Sequence, residues 1–528
     1  MAVYDTERLA ESIKRLTKVG IALSATQDIN AFFELILKEA MYFTNSDAGT
    51  IYTISENQRF LDFKVVCTQS KNIMLGAADI ALWPSVPLYR EDGSENKSNF
   101  VSSVAHAAEA KKIDNIYEQD FFDASGTRKY DEANAYKSIS MAAIPLKNHE
   151  KEVMGVIQLI NALDQQGKVV PFEQKNLIFL ESLASQAAIA LSNKKLIQNL
   201  ETLLYQFIKS IATAIDRKCS STSGHISRVA TLSEKFLQKI QEDTTRYKDI
   251  TFSANEIREL SLAAWMHDVG KITTPVYIQD KSTKLETIFD RMELVKTRLE
   301  LVIAVIEKNQ LKYPEKKPEL AALIAEIRSY EKVIERCNRS VEWMPEADLA
   351  ALQKVYDFHY CSEGKDFRLL TENEFCNLSI RRGTLLPKEI AKMHEHATVT
   401  LEMLSELTFP RKFRNIPLYA SSHHEKLNGK GYPSHFTEAD LPLQARVIAI
   451  ADIFDALTAS DRPYKTDKKL SETLIILAKM AKDRDIDPDL LSLFLESGLY
   501  SEYAADYLKK EQIDAVDVST IKAIYEAR

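Results

Sequence analysis

The chain has 528 residues, too many for one hydrophobic core, so several domains are expected. Hydrophobic residues make up 45% and charged residues 27%, and the scarcity of Gly (14) and Pro (15) argues against long disordered or fibrous stretches. A formal charge of −8 lacks the basic excess that nonspecific nucleic-acid binding needs, so no DNA partner is expected.

The first residues, MAVYDTERLAESIKRL, read as a charged amphipathic helix over 1–19, without the apolar centre of a secretory signal. No run approaches the roughly 20 apolar residues that cross a bilayer, so a cytoplasmic protein with no membrane partner is expected. Cys67, Cys219, Cys337, Cys361 and Cys376 are scattered and form no C-x-x-C pair, which reads as buried, inert thiols in a reducing compartment.

Residues 20–195 alternate helical and strand patterns. AFFELILKEAMYFTNSDA and SSVAHAAEAKK have helical spacing, while AGTIYTIS, RFLDFKVVCT, SISMAAIPLKN and VMGVIQLINA read as strands. Strands in ladder order with helices at both ends predict an α+β domain around one antiparallel sheet. Over 173–216 the spacing of Leu180, Leu183, Ala187, Ala190, Leu196, Leu200, Leu203, Phe207 and Ile211 predicts a connecting helix, single or two in series. Its apolar seam predicts either a homodimer through a parallel coiled coil or a linker helix packed on its own domains. Residues 217–528 are helical throughout. Within them, RMELVKTRLELVIAVIEKNQ and ELAALIAEIRSYEKVIERC, parted by KYPEKKPEL, predict a charged helical hairpin, read as solvated faces or a coiled-coil arm.

Eight of the ten histidines lie in this helical part, and six of them gather in segments with acidic and glycine neighbours. They lie in TSGHISR (His225, with Arg228 one turn on), MHDVGKITTP (His267, then Asp268), KMHEHATVT (His394 and His396) and HHEKLNGKGYP (His423 and His424), ahead of Asp452 in IADIFDA. Imidazole and carboxylate without thiolate favour Fe, Mn, Zn or Ni in a hydrolytic site. Two adjacent ions would clamp a phosphoryl group and acidify a water, and Asp268 can bridge them. Lys271, three residues past Asp268, can neutralise a phosphate oxygen, which makes Asp268 and Lys271 the catalytic candidates. Arg462 and Lys465, in DRPYK, can hold a second phosphate. His394 reads as solvated or supporting, and His106, His149, His359 and His435 as structural.

The segments TSGHISRV, MHDVGKITTP, KMHEHATVTLEML, HHEKLNGKGYP and ADIFDALTASDRPYK resemble the HD-GYP branch of the HD phosphohydrolases. The resemblance spans 222–285 and 384–465, so 217–528 is expected to be an all-α HD-GYP domain with a helical-hairpin insertion at about 286–383. It implies the metal ligands His225, His267, Asp268, His396, His423, His424 and Asp452. His225, His267 and Asp452 would serve one ion and His396, His423 and His424 the other, with Asp268 between. Some members hold a third metal through a glutamate one turn before the first histidine. Ser221 stands there, so two divalent ions per chain are expected, Fe or Mn before Zn or Ni. Thr400 stands where many members have glycine. The family's activity is hydrolysis of a cyclic dinucleotide, chiefly cyclic di-GMP, to the linear dinucleotide or mononucleotide. Gly431, Tyr432 and Pro433, with Lys271, Arg462 and Lys465, are the expected substrate contacts, and a diguanylate cyclase is an expected partner.

Residues 20–195 resemble a GAF domain, most clearly in GTIYTIS, VMGVIQLINALDQQG and SLASQAAIAL. That implies a sensor for a small molecule such as a cyclic nucleotide, with the contacting residues unassigned. Asp131-Glu132 in FFDASGTRKYDEANAYKS is similar to a cyclic-nucleotide motif of such domains, or belongs to a structural loop. Two alternatives to a cyclic di-GMP phosphodiesterase stay open on sequence: a non-catalytic cyclic-dinucleotide receptor or scaffold, and a phosphodiesterase for cyclic GMP-AMP.

Overall fold

The computed structural model describes residues 29–76, 79–80, 83–119, 122–218, 224–339, 343–459 and 468–526. The helix expected over 1–19 lies outside them. The chain divides into two compact units, Met1–Leu203 and Leu204–Arg528.

The first unit is built on strands β1 (Ser46–Ile54), β2 (Phe60–Thr68), β3 (Ile73–Leu75), β4 (Val86–Pro87), β5 (Lys111–Ile113), β6 (Met141–Lys147), β7 (Val153–Leu163) and β8 (Val169–Val170). They pair antiparallel in the order β3-β2-β1-β7-β6-β5, with β4 beside β2 and β8 beside β7. The central β1 and β7 are buried on both faces along most of their length. One face is covered by Phe33, Ile36, Leu37 and Met41 of helix Ile29–Thr44 together with Leu180, Leu183 and Ala187. The other packs on Val101 and Val104 of helix Phe100–Ala107. That helix is shorter than its sequence pattern, because Ala108 turns left-handed at φ 52° and the chain then enters β5. The α+β architecture is as expected.

The connecting helix is one continuous element, Gln174–Lys218, of 45 residues. No Pro or Gly interrupts it.

The second unit is helical around a core that includes Phe236, Leu260, Ala263, Ile448, Phe454 and Phe494. In its insertion, helices Met292–Lys312 and Lys317–Arg339 form the expected hairpin. Helix Glu346–Asp357, the ribbon β9 (His359–Ser362) and β10 (Lys365–Arg368), and helix Glu372–Leu378 join it. Together they enclose a core of their own, with Val295, Leu299, Ile306, Ile327, Ile334 and Leu352 buried. The insertion is therefore a folded layer and not a bare solvated arm. A second correction concerns the thiols. Cys67 and Cys337 are buried, but Cys361 in the ribbon and Cys376 on a short helix are exposed. Cys219 lies outside the described residues.

Candidate metal centre

Five chain segments deliver the expected ligands to one place. His225 is the first residue of helix His225–Glu242, entered through Gly224 at φ 79°, a left-handed turn that favours glycine. His267 and Asp268 close helix Ala254–Met266, whose start is fixed by a capping box between Ser253 and Glu256. The chain then tightens into the 3-10 turn Val269–Thr273, which carries Lys271. His396 sits on helix Pro387–Ser405, His423 and His424 follow helix Ile416–Ser421, and Asp452 lies on helix Leu443–Thr458. The turn and the His396 helix touch backbone to backbone, for a Cβ on Gly270 would lie 2.0 Å from the His396 carbonyl oxygen. Thr400 fastens that contact: its hydroxyl accepts from the Gly270 amide (3.0 Å) and donates to the His267 carbonyl (3.2 Å). Thr400 thus has a local structural use.

The two oxygens of Asp268 face opposite groups. Oδ2 lies 3.6 Å from His225 Nε2 and 3.4 Å from His267 Nε2. Oδ1 lies 3.6 Å from His396 Nε2 and 3.9 Å from His423 Nε2. Asp452 Oδ1 completes the first group at 3.2 Å from His225 Nε2 and 3.8 Å from His267 Nε2. Among the described residues, three sets can hold a metal ion: His396, His423 and His424; His225, His267 and Asp452; and His267, Asp268 and His423.

The imidazoles are set for this. Nδ1–H donates from His267 to the Ala264 carbonyl (2.7 Å), from His396 to Met393 (2.5 Å) and from His423 to Ala420 (2.7 Å), which leaves each Nε2 lone pair turned inward. His225 Nδ1 meets the Asp455 carboxylate at 2.7 Å. His267 Nε2 and Asp268 Oδ1 are buried without a hydrogen-bond partner, a costly state that a cation between them would relieve.

Charge points the same way. Burial opposes ionisation of Asp268, but Lys271 and the neighbouring histidines outweigh it and hold the carboxyl well below the usual range. Asp452 is likewise held low against burial, chiefly by His225. Burial pushes His396 down, His423 well down, and His424 to about 3, so all three are neutral. Burial also opposes charge on His225, but Asp268, Asp452 and Asp455 overcome it and raise its pKa well above normal. Buried carboxylates beside neutral imidazoles form an anionic pocket that fits divalent cations.

The sequence reading missed part of the surroundings. Asp455 accepts from His225 and also from Arg228, through Nε at 2.6 Å and Nη2 at 3.1 Å, and from the Tyr503 hydroxyl. The i, i+3 spacing from Asp452 was a signal for it; nothing local marks Tyr503. His394, read as solvated or supporting, is exposed and stacks on Tyr432, with ring centroids 3.9 Å apart. The Tyr432 ring lies 4.8 Å from that of His424. Gly431 is buried against backbone, where a Cβ would lie 2.4 Å from Glu425 Cα. Pro433 follows in the same loop, which Glu425 holds by accepting from the Ser434 and Phe436 amides (2.6 and 3.0 Å). Lys271 Nζ lies 2.5 Å from Asp268 Oδ2. Arg462, Lys465 and Ser221 lie outside the described residues.

Comparison with known proteins agrees with this architecture. A GAF-domain family model matches residues 28–191, and an HD-domain model matches 372–490. The chain carries a GAF domain and an HD domain. The HD match contains His396, His423, His424 and Asp452, while His225, His267 and Asp268 fall ahead of the insertion. This chain is 32% identical over 117 residues to a cyclic di-GMP phosphodiesterase of Thermotoga maritima, covering 22% of this chain and 31% of that protein. It is 38% identical over 117 residues to 3′3′-cGAMP-specific phosphodiesterase 2 of Vibrio cholerae, covering 22% of this chain and 21% of that one. The matches thus span less than a third of these curated relatives. Among solved structures, the GAF domain of an Acinetobacter phosphoenolpyruvate-protein phosphotransferase aligns with 14% identity and a TM-score of 0.27, over 36% of this chain and 98% of that one.

The GAF domain encloses a cavity of about 370 Å³, lined by Tyr52, Phe63, Trp83, Phe100, Phe122 and Tyr136 among others. Asp123 is the one charged side chain among the described lining residues. Asp131 is buried and accepts from the Ser138 amide and hydroxyl (both 2.8 Å) and the Tyr117 hydroxyl (2.5 Å), which gives it a structural role. Among the described residues, no helix is long and apolar enough to cross a membrane.

Proposed function

We propose that the HD domain is a metal-dependent phosphodiesterase that opens a cyclic dinucleotide, cyclic di-GMP first, under control of the GAF domain. The carrying observation is the placement of Asp268, whose two oxygens face His225 and His267 on one side and His396 and His423 on the other, 3.4 to 3.9 Å away. His225, His267 and Asp452 would hold one ion and His396, His423 and His424 a second, with Asp268 shared. Two bound divalent ions, iron or manganese by donor set, would supply charge neutralisation at the phosphodiester and a water acidified to nucleophilic strength.

The chain's own groups do the rest. The Nδ1 hydrogen bonds fix which nitrogen each imidazole presents. Lys271, partly exposed beside Asp268, brings an ammonium to the edge of the centre, where a phosphate oxygen can meet it. The Gly431-Tyr432-Pro433 loop forms a rim, with Tyr432 as its aromatic face. Arg462 and Lys465 are assigned to the second phosphate on sequence alone. The product is the linear dinucleotide or the mononucleotide.

A second reading, cyclic GMP-AMP as substrate, is supported by the 38% identity to the Vibrio enzyme named for it. A receptor without catalysis is disfavoured by the full ligand set. A diguanylate cyclase remains the proposed protein partner. The GAF cavity is assigned a small ligand, and the lack of a cation among its described lining residues favours an uncharged one over a cyclic nucleotide. The connecting helix exposes Ile189, Leu196, Leu200, Leu203 and Phe207 at spacings of seven, four, three and four, the seam of a parallel coiled coil with a second copy.

The deciding experiment is hydrolysis of cyclic di-GMP and cyclic GMP-AMP by anaerobically purified protein, with metal counted in the same sample. Turnover with about two ions per chain is expected. Metal-loaded protein that binds either nucleotide without cutting it would replace this reading by the receptor.

A further inference from the structure

The connecting helix ends beside the metal centre, and its last turn grips both segments that carry ligands on the His225 side. Lys218, its final residue, donates from Nζ to three carbonyl oxygens of one turn: Lys271 at 3.1 Å, Ile272 at 2.7 Å and Thr274 at 2.9 Å. Two residues earlier, the buried Asp216 accepts from the amide of Gly224 at 2.8 Å, immediately before His225.

An ammonium has three protons to donate, and Lys218 spends all of them on the turn that follows the His267-Asp268 doublet. Those carbonyls lie at the C-terminal end of the 3-10 element Val269–Thr273 and just past it, where a cation is favoured. The Lys271 carbonyl is held further by Gln279 Nε2 (2.9 Å) and the Thr274 amide (3.1 Å). Fixing the peptide planes around Lys271 fixes the direction in which its side chain leaves toward Asp268. Hydrogen bonds of 2.7 to 3.1 Å do not survive a displacement of 1 Å. A shift or rotation of the helix end must therefore release the turn or carry it along.

We propose that Lys218 is a positioning residue for the Asp268–Lys271 turn and, with Asp216, the point where the connecting helix sets the geometry of the metal centre. The catalytic readout rests on the phosphodiesterase reading; the metal-affinity readout does not. The competing account makes Lys218 a plain helix-end cap that supports folding only.

The test compares full-length wild type, Lys218→Met and Lys218→Arg in three measurements: Mn²⁺ affinity by titration of the metal-free protein, kcat and KM for cyclic di-GMP at saturating Mn²⁺, and thermal midpoint. Lys218→Met is expected to weaken Mn²⁺ binding about 10-fold, the size of a lost supporting contact at a metal site. It should also lower kcat at least about 10-fold while KM stays within about twofold. Lys218→Arg, which can still donate to the carbonyls, should recover most of both. Wild-type affinity and kcat in Lys218→Met would overturn the proposal. So would an arginine variant that regains the thermal midpoint but neither of the other two. If Lys218→Met fails to fold, Lys218→Gln, which keeps two donors and loses the charge, takes its place with a smaller loss of Mn²⁺ affinity and kcat expected, and wild-type values of both would overturn the proposal. If wild type itself cuts no cyclic dinucleotide, the phosphodiesterase reading fails, and Mn²⁺ affinity alone decides the role of Lys218.

Discussion

Asp455→Asn isolates the support of His225 from the centre it serves. The carboxylate has no exposed surface and takes hydrogen bonds from His225 Nδ1 (2.7 Å), Arg228 Nε (2.6 Å) and Nη2 (3.1 Å), and Tyr503. Asparagine keeps the size and removes the charge. Arg228 then faces a neutral amide; loss of one partner of a buried pair costs about 3–5 kcal/mol. Because the Arg228 side chain is 17% exposed, water offsets part of this, and the lower end, about 3 kcal/mol, is expected. The second effect falls on His225. An amide can offer N–H, so Nδ1 need no longer carry the proton. The tautomer protonated at Nε2, which cannot ligate, becomes accessible. Loss of such support weakens metal binding about 10- to 100-fold, or about 1.4–2.7 kcal/mol. The assay is Mn²⁺ titration of the metal-free variant with thermal unfolding alongside. Binding at least about 10-fold weaker and a midpoint lower by several degrees are expected. Affinity within twofold of wild type and an unmoved midpoint would refute the role given to Asp455.

Gly270→Ala should break the centre from its backbone side, since the new Cβ would sit 2.0 Å from the His396 carbonyl. We expect about 1–3 kcal/mol lost in denaturant unfolding and a fall in bound metal per chain. Leu200→Asp, on the exposed seam of the connecting helix, should convert a dimer to monomer in sedimentation; a wild-type protein already monomeric at micromolar concentration would end the coiled-coil reading. Lys284 is fully buried, donates to the carbonyls of Leu378 (3.3 Å) and Ile380 (2.6 Å), and has its pKa lowered by burial to about 8. Below pH 8 folded and unfolded chains both carry this proton, while between pH 8 and about 10.5 only the unfolded chain keeps it, so stability rises with pH by up to about 3 kcal/mol. Denaturant midpoints across that range should show the rise in wild type relative to Lys284→Met; parallel curves would count against it.

The sequence by itself determined the two domain types, a helical connection between them and a list of candidate ligands. These are signals carried by local pattern: segments rich in Val, Ile, Tyr and Thr between polar breaks for the sheet, spacing of three and four for Gln174–Lys218, and histidines beside acids and glycines. It did not determine what lies behind the ligands. Thr400, which no local pattern marked, bonds to both Gly270 and His267, 130 and 133 positions away. Asp455 and Tyr503 meet only because helices Leu443–Thr458 and Leu499–Tyr507 pack together, and Lys218 meets its turn 53 residues on for the same kind of reason. The insertion's apolar stripe was present in the sequence but masked by its charge density, and only four helices and a ribbon closing on one another made it a core. Ligand identity is a matter of which atoms a side chain owns, and a sequence states that directly. Ligand orientation depends on hydrogen bonds between distant segments, and those exist only once the chain has folded.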